Sequence, residues 1–416
     1  MLVQRARRLL LLTPLLALVL GLAAACSDDG SDDELPLTIG ALVPLTGSLA
    51  SYGAASQAAL KLAAETINSG SGSEVNLLIE DTETDPQTAL AKLESLHGRG
   101  AKVVIGPFAS SEVNAVKKFA DDNGIVLVSP LSTARSLAVP DDNVFRFTPD
   151  DDKEGHAAAA LAWADGIRTI IAVSRNDEGN LGLQTAMKAS FEKLGGKVVT
   201  GVTYPASETE FSDEMRSVAQ ALSGANGTGG TVGIYLTAFA EVTGVFNAAN
   251  TIPALQTVKW YGSDSVALSA DLVADETAAA FAMAAYYPNP ILGLDEADEA
   301  RWSPIQQQLA STLGRQPDSF ALAAYDALMV AREALTDAGG DDAAIDDIKR
   351  EFVSVANEHE GLTGPTKLNA AGDRDIAIYD FWAVCREDGE YFWYRAATHV
   401  AEGEGSISRP EKCEAS

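Results

Sequence analysis

Two pairs of hydroxyl side chains occupy positions at which the predicted structure could bind an anion. Ser110 and Ser111 follow the third apolar strand of the chain and begin a helix, and Ser132 and Thr133 do the same after the fourth strand. Hydroxyl groups and the free N–H groups of a helix's first turn attract an anion without a basic residue, because the helix dipole favours negative charge there. The alternative for each pair is a simple helix cap, a role that suits any Ser or Thr.

Sequence motifs for enzymatic chemistry are missing from the chain. It contains no Gly-x-Ser-x-Gly, no Gly-x-Gly-x-x-Gly after a strand and no Walker phosphate loop. The four His residues lie far apart and share no metal-ligand spacing. The acidic run Asp150-Asp151-Asp152 is contiguous, which is typical of helix ends and solvated loops rather than of a catalytic carboxylate pair. We therefore predict that the protein is not an enzyme and needs no metal or cofactor.

The composition indicates a folded, strongly acidic protein. The chain has 416 residues, of which 59 are acidic and 30 basic, giving a net charge of −29. Such a charge repels phosphate groups and anionic lipid surfaces, so we exclude nucleic acid as a partner and a basic face as a membrane contact. The hydrophobic fraction of 46% is typical of globular proteins, and the length predicts two or three domains.

Apolar strands and helices alternate along most of the chain. The alternation runs from Leu37 to Val128 and starts again after Pro149. Strands that are apolar on both faces and alternate with helices predict parallel sheets covered on both sides, here in two doubly wound lobes of the α/β class. A helical block over Trp302 to Ala356 and a final strand over Ile376 to Val384 complete the pattern.

The N-terminal residues are typical of an export signal. Residues 1–25 contain a basic start, the apolar run Leu9 to Leu22 and the small residues Ala23 to Ala25. Small residues before a Cys resemble a bacterial lipobox, in which Cys26 is lipidated and becomes the new N-terminus; ordinary cleavage after Ala25 is the alternative. The acidic residues that follow predict a flexible linker over 26–36.

The two other Cys residues, Cys385 and Cys413, favour a disulfide, since disulfides are common in exported proteins. This bond would tie the C-terminal tail to the last strand. Two unpaired thiols are the alternative.

Several short motifs, in this order and spacing, resemble those of a known family. The chain is similar to the type I periplasmic substrate-binding proteins, and specifically to the branched-chain amino-acid (Leu/Ile/Val) binding family of ABC transporters. The motifs that carry the resemblance are Ile39–Gly47, Tyr52-Gly53, Glu80-Asp81, Asp85-Pro86, Val104–Pro107, Ser110-Ser111, Val128–Pro130, Ser132-Thr133 and Phe145–Phe147.

The resemblance implies two Rossmann-like lobes joined by a hinge of three chain crossings. The first lobe would comprise residues 37–149 plus 287–372, and the second 150–286 plus 375–416. The ligand would bind in the cleft between the lobes, which close on it by a hinge motion.

The resemblance also implies roles for residues in this cleft. The two hydroxyl pairs would bind the α-carboxylate of a ligand. Asp264 is similar to the family's strand-end carboxylate that pairs with the ligand ammonium group, the alternative being a helix N-cap. Tyr52 would close over the ligand, the alternative being a surface aromatic residue.

The second lobe departs from the family pattern at two places. Asp177 lies where the family usually has a Tyr, and an acidic side chain there favours a more polar or cationic ligand. The family's aromatic residue after the strand Val232 to Leu236 falls at or near Phe239.

The function implied is that of an exported, lipid-anchored protein on the extracytoplasmic face of the cell membrane. It would capture a small ligand, an amino acid or a related amide, and deliver it to the permease of an ABC importer. The alternative is a ligand-sensing module for a signalling partner. The sequence leaves the identity of the ligand open.

Overall fold

The computed structural model describes residues 35–225, 231–375, 378–400, 406–410 and 413. The predicted signal segment and the predicted lipidation site Cys26 lie outside these residues. Within the described ranges, no helix combines the length and apolar character needed to cross a membrane.

A parallel sheet with helices on both sides forms the first part of the described chain. Its strands are β1 (Leu37–Val43), β2 (Val75–Asp81), β3 (Val103–Ile105), β4 (Val126–Ser129) and β5 (Val144–Arg146). They are connected in turn by α1 (Ala50–Asn68), α2 (Pro86–Gly98) and α3 (Ser110–Asn123), with a 3₁₀ turn at Arg135–Leu137 between β4 and β5. The spatial order β2-β1-β3-β4-β5 brings the carboxyl ends of β3 and β4 side by side.

A second parallel sheet follows, also with helices on both sides. After α4 (Asp151–Ala164) come β6 (Ile167–Asn176), α5 (Glu178–Lys193), β7 (Lys197–Pro205), α6 (Ser212–Ala225), β8 (Thr231–Thr237), α7 (Val242–Ala249) and β9 (Lys259–Tyr261). The short helices α8 (Ala270–Ala274) and α9 (Glu276–Ala284) follow. The order β7-β6-β8-β9 places the carboxyl ends of β8 and β9 next to each other.

The helical block predicted near the C-terminus packs on the first sheet. The chain passes through β10 (Asn289–Leu292) into α10 (Glu299–Leu313), α11 (Ser319–Ala338) and α12 (Ile345–Glu358), then through the hairpin strands β11 (Glu360–Gly361) and β12 (Gly364–Pro365). Leu328 of α11 and Phe352 of α12 share a buried core with Ile39 and Val103 of the first sheet. This return of the chain explains how the first sheet is covered on both faces.

The C-terminal part differs from the prediction of one strand with a polar tail. Strand β13 (Ile378–Glu387) pairs in antiparallel fashion with β10 and with β14 (Glu390–Val400), and β14 pairs with β15 (Ser406–Ser408). Tyr391 and Trp393 of β14 pack against the core of the second sheet, which accounts for the extra strand. Cys385 of β13 and Cys413 form a disulfide, with their Cα atoms 5.5 Å apart.

Two chain segments run side by side where the chain leaves and rejoins the first sheet. The N–H of Arg146 donates to Gly372 O (2.9 Å), and the N–H of Arg374 donates to Arg146 O (3.0 Å). The fully buried guanidinium of Arg146 forms an ion pair with Asp373 (Nε–Oδ1 2.5 Å). The two segments are therefore joined by both backbone and side chains.

Candidate ligand-binding site

The carboxyl ends of strands from both sheets meet at a common seam, which is where open α/β sheets bind ligands. A small cavity lies there, and four of the predicted site residues line it: Ser110 and Thr133 from the first sheet, Phe239 and Asp264 from the second. Leu131, Asn180 and Ser265 also contribute to its lining, and they were not predicted. Ser111, Ser132, Asp177 and Tyr52 do not line it.

The hydroxyl groups of the first sheet form a connected cluster. Ser132 Oγ donates to Ser110 Oγ (3.0 Å), which also accepts the N–H of Ala134 (3.2 Å). Ser132 is fully buried and Ser111 half-buried. The expectation that Ser132 and Thr133 begin an α-helix is wrong, because the chain after β4 forms only the 3₁₀ turn. Their position relative to Ser110 is set by this cluster.

The start of α3 is occupied by a carboxyl group of the chain itself. The N-cap is Ala109, and neither Ser110 nor Ser111 caps the helix. Glu112, fully buried, accepts the Ala109 N–H with Oε2 (2.9 Å), and burial raises the pKa of its carboxyl to about 7. Part of the anion-binding capacity of this helix end is thus used internally.

Asp264 presents a buried carboxyl group from the second sheet. It is 4% exposed, and its Oδ1 accepts the Ser265 hydroxyl (2.8 Å). Burial raises the pKa of Asp264 to about 6. Among the described residues, no Lys, Arg or His forms an ion pair with it. A Cβ at Gly262 would lie 1.8 Å from Asn289 Oδ1, so any larger residue here would displace the buried Asn289 side chain.

Two acidic residues of α4 lie close to Asp264 and were missed by the sequence reasoning. Asp151 is 0% exposed and Glu154 is 1% exposed, so the interpretation of the acidic run as solvated is wrong for Asp151. Burial raises the pKa of Asp151 to about 7 and that of Glu154 well above its usual range. Their spacing of three residues, which places both on one helix face, was the available signal.

Tyr52 links the two halves of the molecule across the seam. It is 3% exposed, and its hydroxyl donates to Ala267 O (2.7 Å) and contacts Asp264 O (3.1 Å). Because α1 packs on the first sheet and Ala267 follows the second, this contact spans the cleft. The alternative of a surface aromatic residue is wrong.

Comparison with known proteins places the chain in a family. The model of the periplasmic binding protein family matches residues 36–382, well over half of the chain. The chain belongs to the periplasmic binding protein family. An uncharacterised protein of Methanocaldococcus jannaschii is 29% identical over 384 residues, which cover 87% of this chain and 90% of that protein.

Two other matches carry descriptive names. A Leu/Ile/Val-binding protein of Rhizobium johnstonii is 29% identical over 182 residues, covering 42% of this chain and 49% of that relative, about half its length. The solved structure of LivJ from Streptococcus pneumoniae, a branched-chain amino acid transporter substrate binding protein in complex with isoleucine, gives a TM-score of 0.71 at 20% identity. This match covers 90% of this chain and all of that one, and it confirms the predicted α/β fold class.

In this periplasmic binding protein the predicted ligand residue Asp177 is engaged by other groups of the chain. Its carboxylate caps α5 through the N–H of Asn180 (3.0 Å) and forms an ion pair with Arg175 (2.7 Å). Arg175 also pairs with Glu241 (3.1 Å), and its guanidinium lies 4.8 Å from the centre of the Phe239 ring. The network therefore holds Phe239 at the seam, and the Asp177 carboxylate is already engaged by Arg175 and by the start of α5.

The seam cavity is small in the conformation observed. Its volume is about 20 Å³, enough for one water-sized molecule, whereas small-molecule sites usually occupy about 300 Å³ or more. Two larger grooves, of about 400 and 670 Å³, share Leu268, Gln316 and Trp382, but none of the predicted site residues lines them. The hydroxyl and carboxyl groups of the predicted site converge at the seam cavity rather than at these two grooves.

Proposed function

We propose that the protein is an exported lipoprotein that captures a small amino-acid-like ligand between its lobes and delivers it to an ABC importer. The observation that carries the proposal is the pairing of groups across the seam. Asp264, buried and without an ion-pair partner among the described residues, faces the hydroxyl groups of Ser110 and Thr133. A carboxylate opposite hydroxyl donors complements the two ends of a zwitterion.

The names of the relatives agree with this ligand class. The Rhizobium johnstonii relative is named for leucine, isoleucine and valine, and the Streptococcus pneumoniae structure holds isoleucine. We propose the same class, small α-amino acids, for this chain, with Phe239 forming the apolar contact.

The proposed capture depends on closure of the lobes 37–149 plus 287–372 and 150–286 plus 375–416. The hydroxyl of Tyr52 stabilises the closed form by bonding to the far side of the seam. A ligand enclosed between the lobes is shielded from water. The lower local dielectric constant strengthens its interaction with Asp264.

Membrane attachment through Cys26 is the last part of the proposal. The mature protein should carry lipid at Cys26, and mass spectrometry of its N-terminal peptide would detect it. A Cys26→Ser variant should be released into the medium. Retention of that variant at the membrane would contradict the anchor.

Ligand binding is tested with an unlipidated form of the chain that begins at residue 27, immediately after Cys26. The twenty amino acids, with simple amides and urea, are screened for an increase in Tm, since a ligand stabilises the folded state by mass action. Calorimetry then measures the affinity of the wild type, of Thr133→Ala and of Ser111→Ala for the ligand that raises Tm most. Ser111→Ala is the matched control, because Ser111 lies outside the cavity. We expect affinity to fall only for Thr133→Ala; equal affinity in both variants would contradict the assigned site.

A further inference from the structure

A second buried carboxyl group, which does not line the cavity, contacts Asp264. Glu154 of α4 accepts the N–H of Asp264 with Oε1 (3.1 Å), and the two carboxyl groups are also in hydrogen-bonding contact. Asp264 lines the cavity, whereas Glu154 does not. A ligand would therefore contact Asp264 directly, and Glu154 would affect ligand binding only through its hydrogen bonds to Asp264.

The surroundings of this pair contain acids and hydroxyl groups. The groups that face it from the neighbouring elements are Asp151 of α4, Tyr52 of α1, Tyr235 of β8 and Tyr379 of β13. Among the described residues, no cationic side chain forms an ion pair with either carboxyl. The hydroxyls of Tyr235 and Tyr379 are buried and have no hydrogen-bond partner in the described chain.

Such surroundings do not support two adjacent negative charges. Two carboxylates in contact, both removed from water, share one proton, because like charges raise each other's pKa. Asp264 lies next to the cavity, where a ligand cation would stabilise its charge. Glu154 is held by the protein on all sides and burial raises its pKa further, so the proton belongs on Glu154.

We propose that Glu154 is a positioning residue, a neutral carboxylic acid that donates a hydrogen bond to the Asp264 carboxylate. The pair then presents one negative charge, oriented toward the cavity, and selects a ligand that carries a single ammonium group at this end. The inference deepens the proposed function and rests on it.

Two substitutions separate this role from a purely structural one. In Glu154→Gln the amide oxygen still accepts the Asp264 N–H and the amide NH₂ still donates to its carboxylate. In Glu154→Leu a side chain of similar volume offers neither group. Affinity is measured by calorimetry from pH 5 to pH 9 with L-leucine, or, if leucine does not bind, with the amino acid that raises Tm most.

For the wild type we expect affinity to fall on acidification with a midpoint near pH 6, where Asp264 takes up a proton. Glu154→Gln should bind within about threefold of the wild type at pH 7, with the same midpoint. Glu154→Leu should shift the midpoint upward and weaken binding at pH 7 by about two- to tenfold, because the Asp264 carboxylate loses a donor. The difference in affinity between Glu154→Leu and the wild type should become smaller toward pH 9.

The outcomes that contradict the inference are distinct. A loss of about tenfold or more in Glu154→Gln would show that the ligand needs an ionised Glu154, and this holds even if Glu154→Leu does not fold. A deficit in Glu154→Leu that is the same at every pH would show a structural role only. If no amino acid binds the wild type, both the proposed function and this inference fail. If the wild type binds an amino acid but either variant gives the contradicting result described above, only the inference fails.

Discussion

Replacing Asp264 by Asn should change ligand affinity and stability in opposite directions. The substitution keeps the shape of the side chain and an oxygen that accepts the Ser265 hydroxyl, but it removes the charge. An ammonium group then loses its ionic partner, while the ligand-free protein no longer carries a desolvated carboxylate. A residue with only a structural role would not produce this combination.

The size of both effects follows from the site. The pKa of Asp264 is about 6, against an ordinary value of 3.8, so its ionisation destabilises the folded state as pH rises between these values. At pH 7 the cost is on the order of 3 kcal/mol, which Asp264→Asn should recover. Loss of one partner of a buried charge pair costs about 2 kcal/mol or more, which corresponds to an affinity at least about 30-fold weaker.

The assay combines urea unfolding of the ligand-free protein at pH 4 and pH 7 with calorimetry at pH 7. Asp264→Asn should be more stable than the wild type at pH 7 and similar to it at pH 4. Asp318→Asn is the matched control: Asp318 is 1% exposed with a pKa of about 6, and it caps α11 through the Ala321 N–H outside the cavity. This control should keep its affinity. Unchanged affinity in Asp264→Asn, or a lower stability at pH 7, would refute the reasoning.

Three further results are expected. Tyr52→Phe should weaken ligand binding by about two- to tenfold in calorimetry, the value of one lost hydrogen bond, with an unchanged circular dichroism spectrum. Cys413→Ser should lower the free energy of unfolding by about 3 kcal/mol, measured in urea, because the bond to Cys385 closes a loop of 28 residues; no change would contradict a formed disulfide. Asp373→Ala should cost about 3–5 kcal/mol in the same assay, since it leaves Arg146 buried and unpaired.

The parallel sheets could be predicted because local sequence specifies them. The predicted alternation of apolar strands and helices from Leu37 to Val128 corresponds to β1 to β4, and the alternation after Pro149 corresponds to α4 to β9. Such strands are buried on both faces and therefore consist of uninterrupted apolar residues, a signal that needs no knowledge of the rest of the chain. The helical block was found for a similar reason, through its apolar face.

The features that were missed depend on contacts distant in sequence. The burial of residues along β14 follows no regular alternation, changing from exposed and half-buried at its start to mostly buried at its end, and it is the pairing with β13 that makes this segment a strand. Glu154 is buried because Asp264, 110 residues further on, packs against it. The turn after β4 is too short for any periodic pattern to show. The carboxyl of Asp264, by contrast, could be predicted because its place at a strand end was visible in the sequence.

The paired segments at Arg146 and Asp373 restrict how the molecule can open. Sliding one segment past the other would break their mutual backbone bonds and the buried ion pair, whereas bending both together breaks neither. Bending the two segments together, a rotation about an axis near this point, is therefore favoured over sliding between them. Displacement grows with distance from such an axis, so a small angle suffices to widen the rim through which a solute enters.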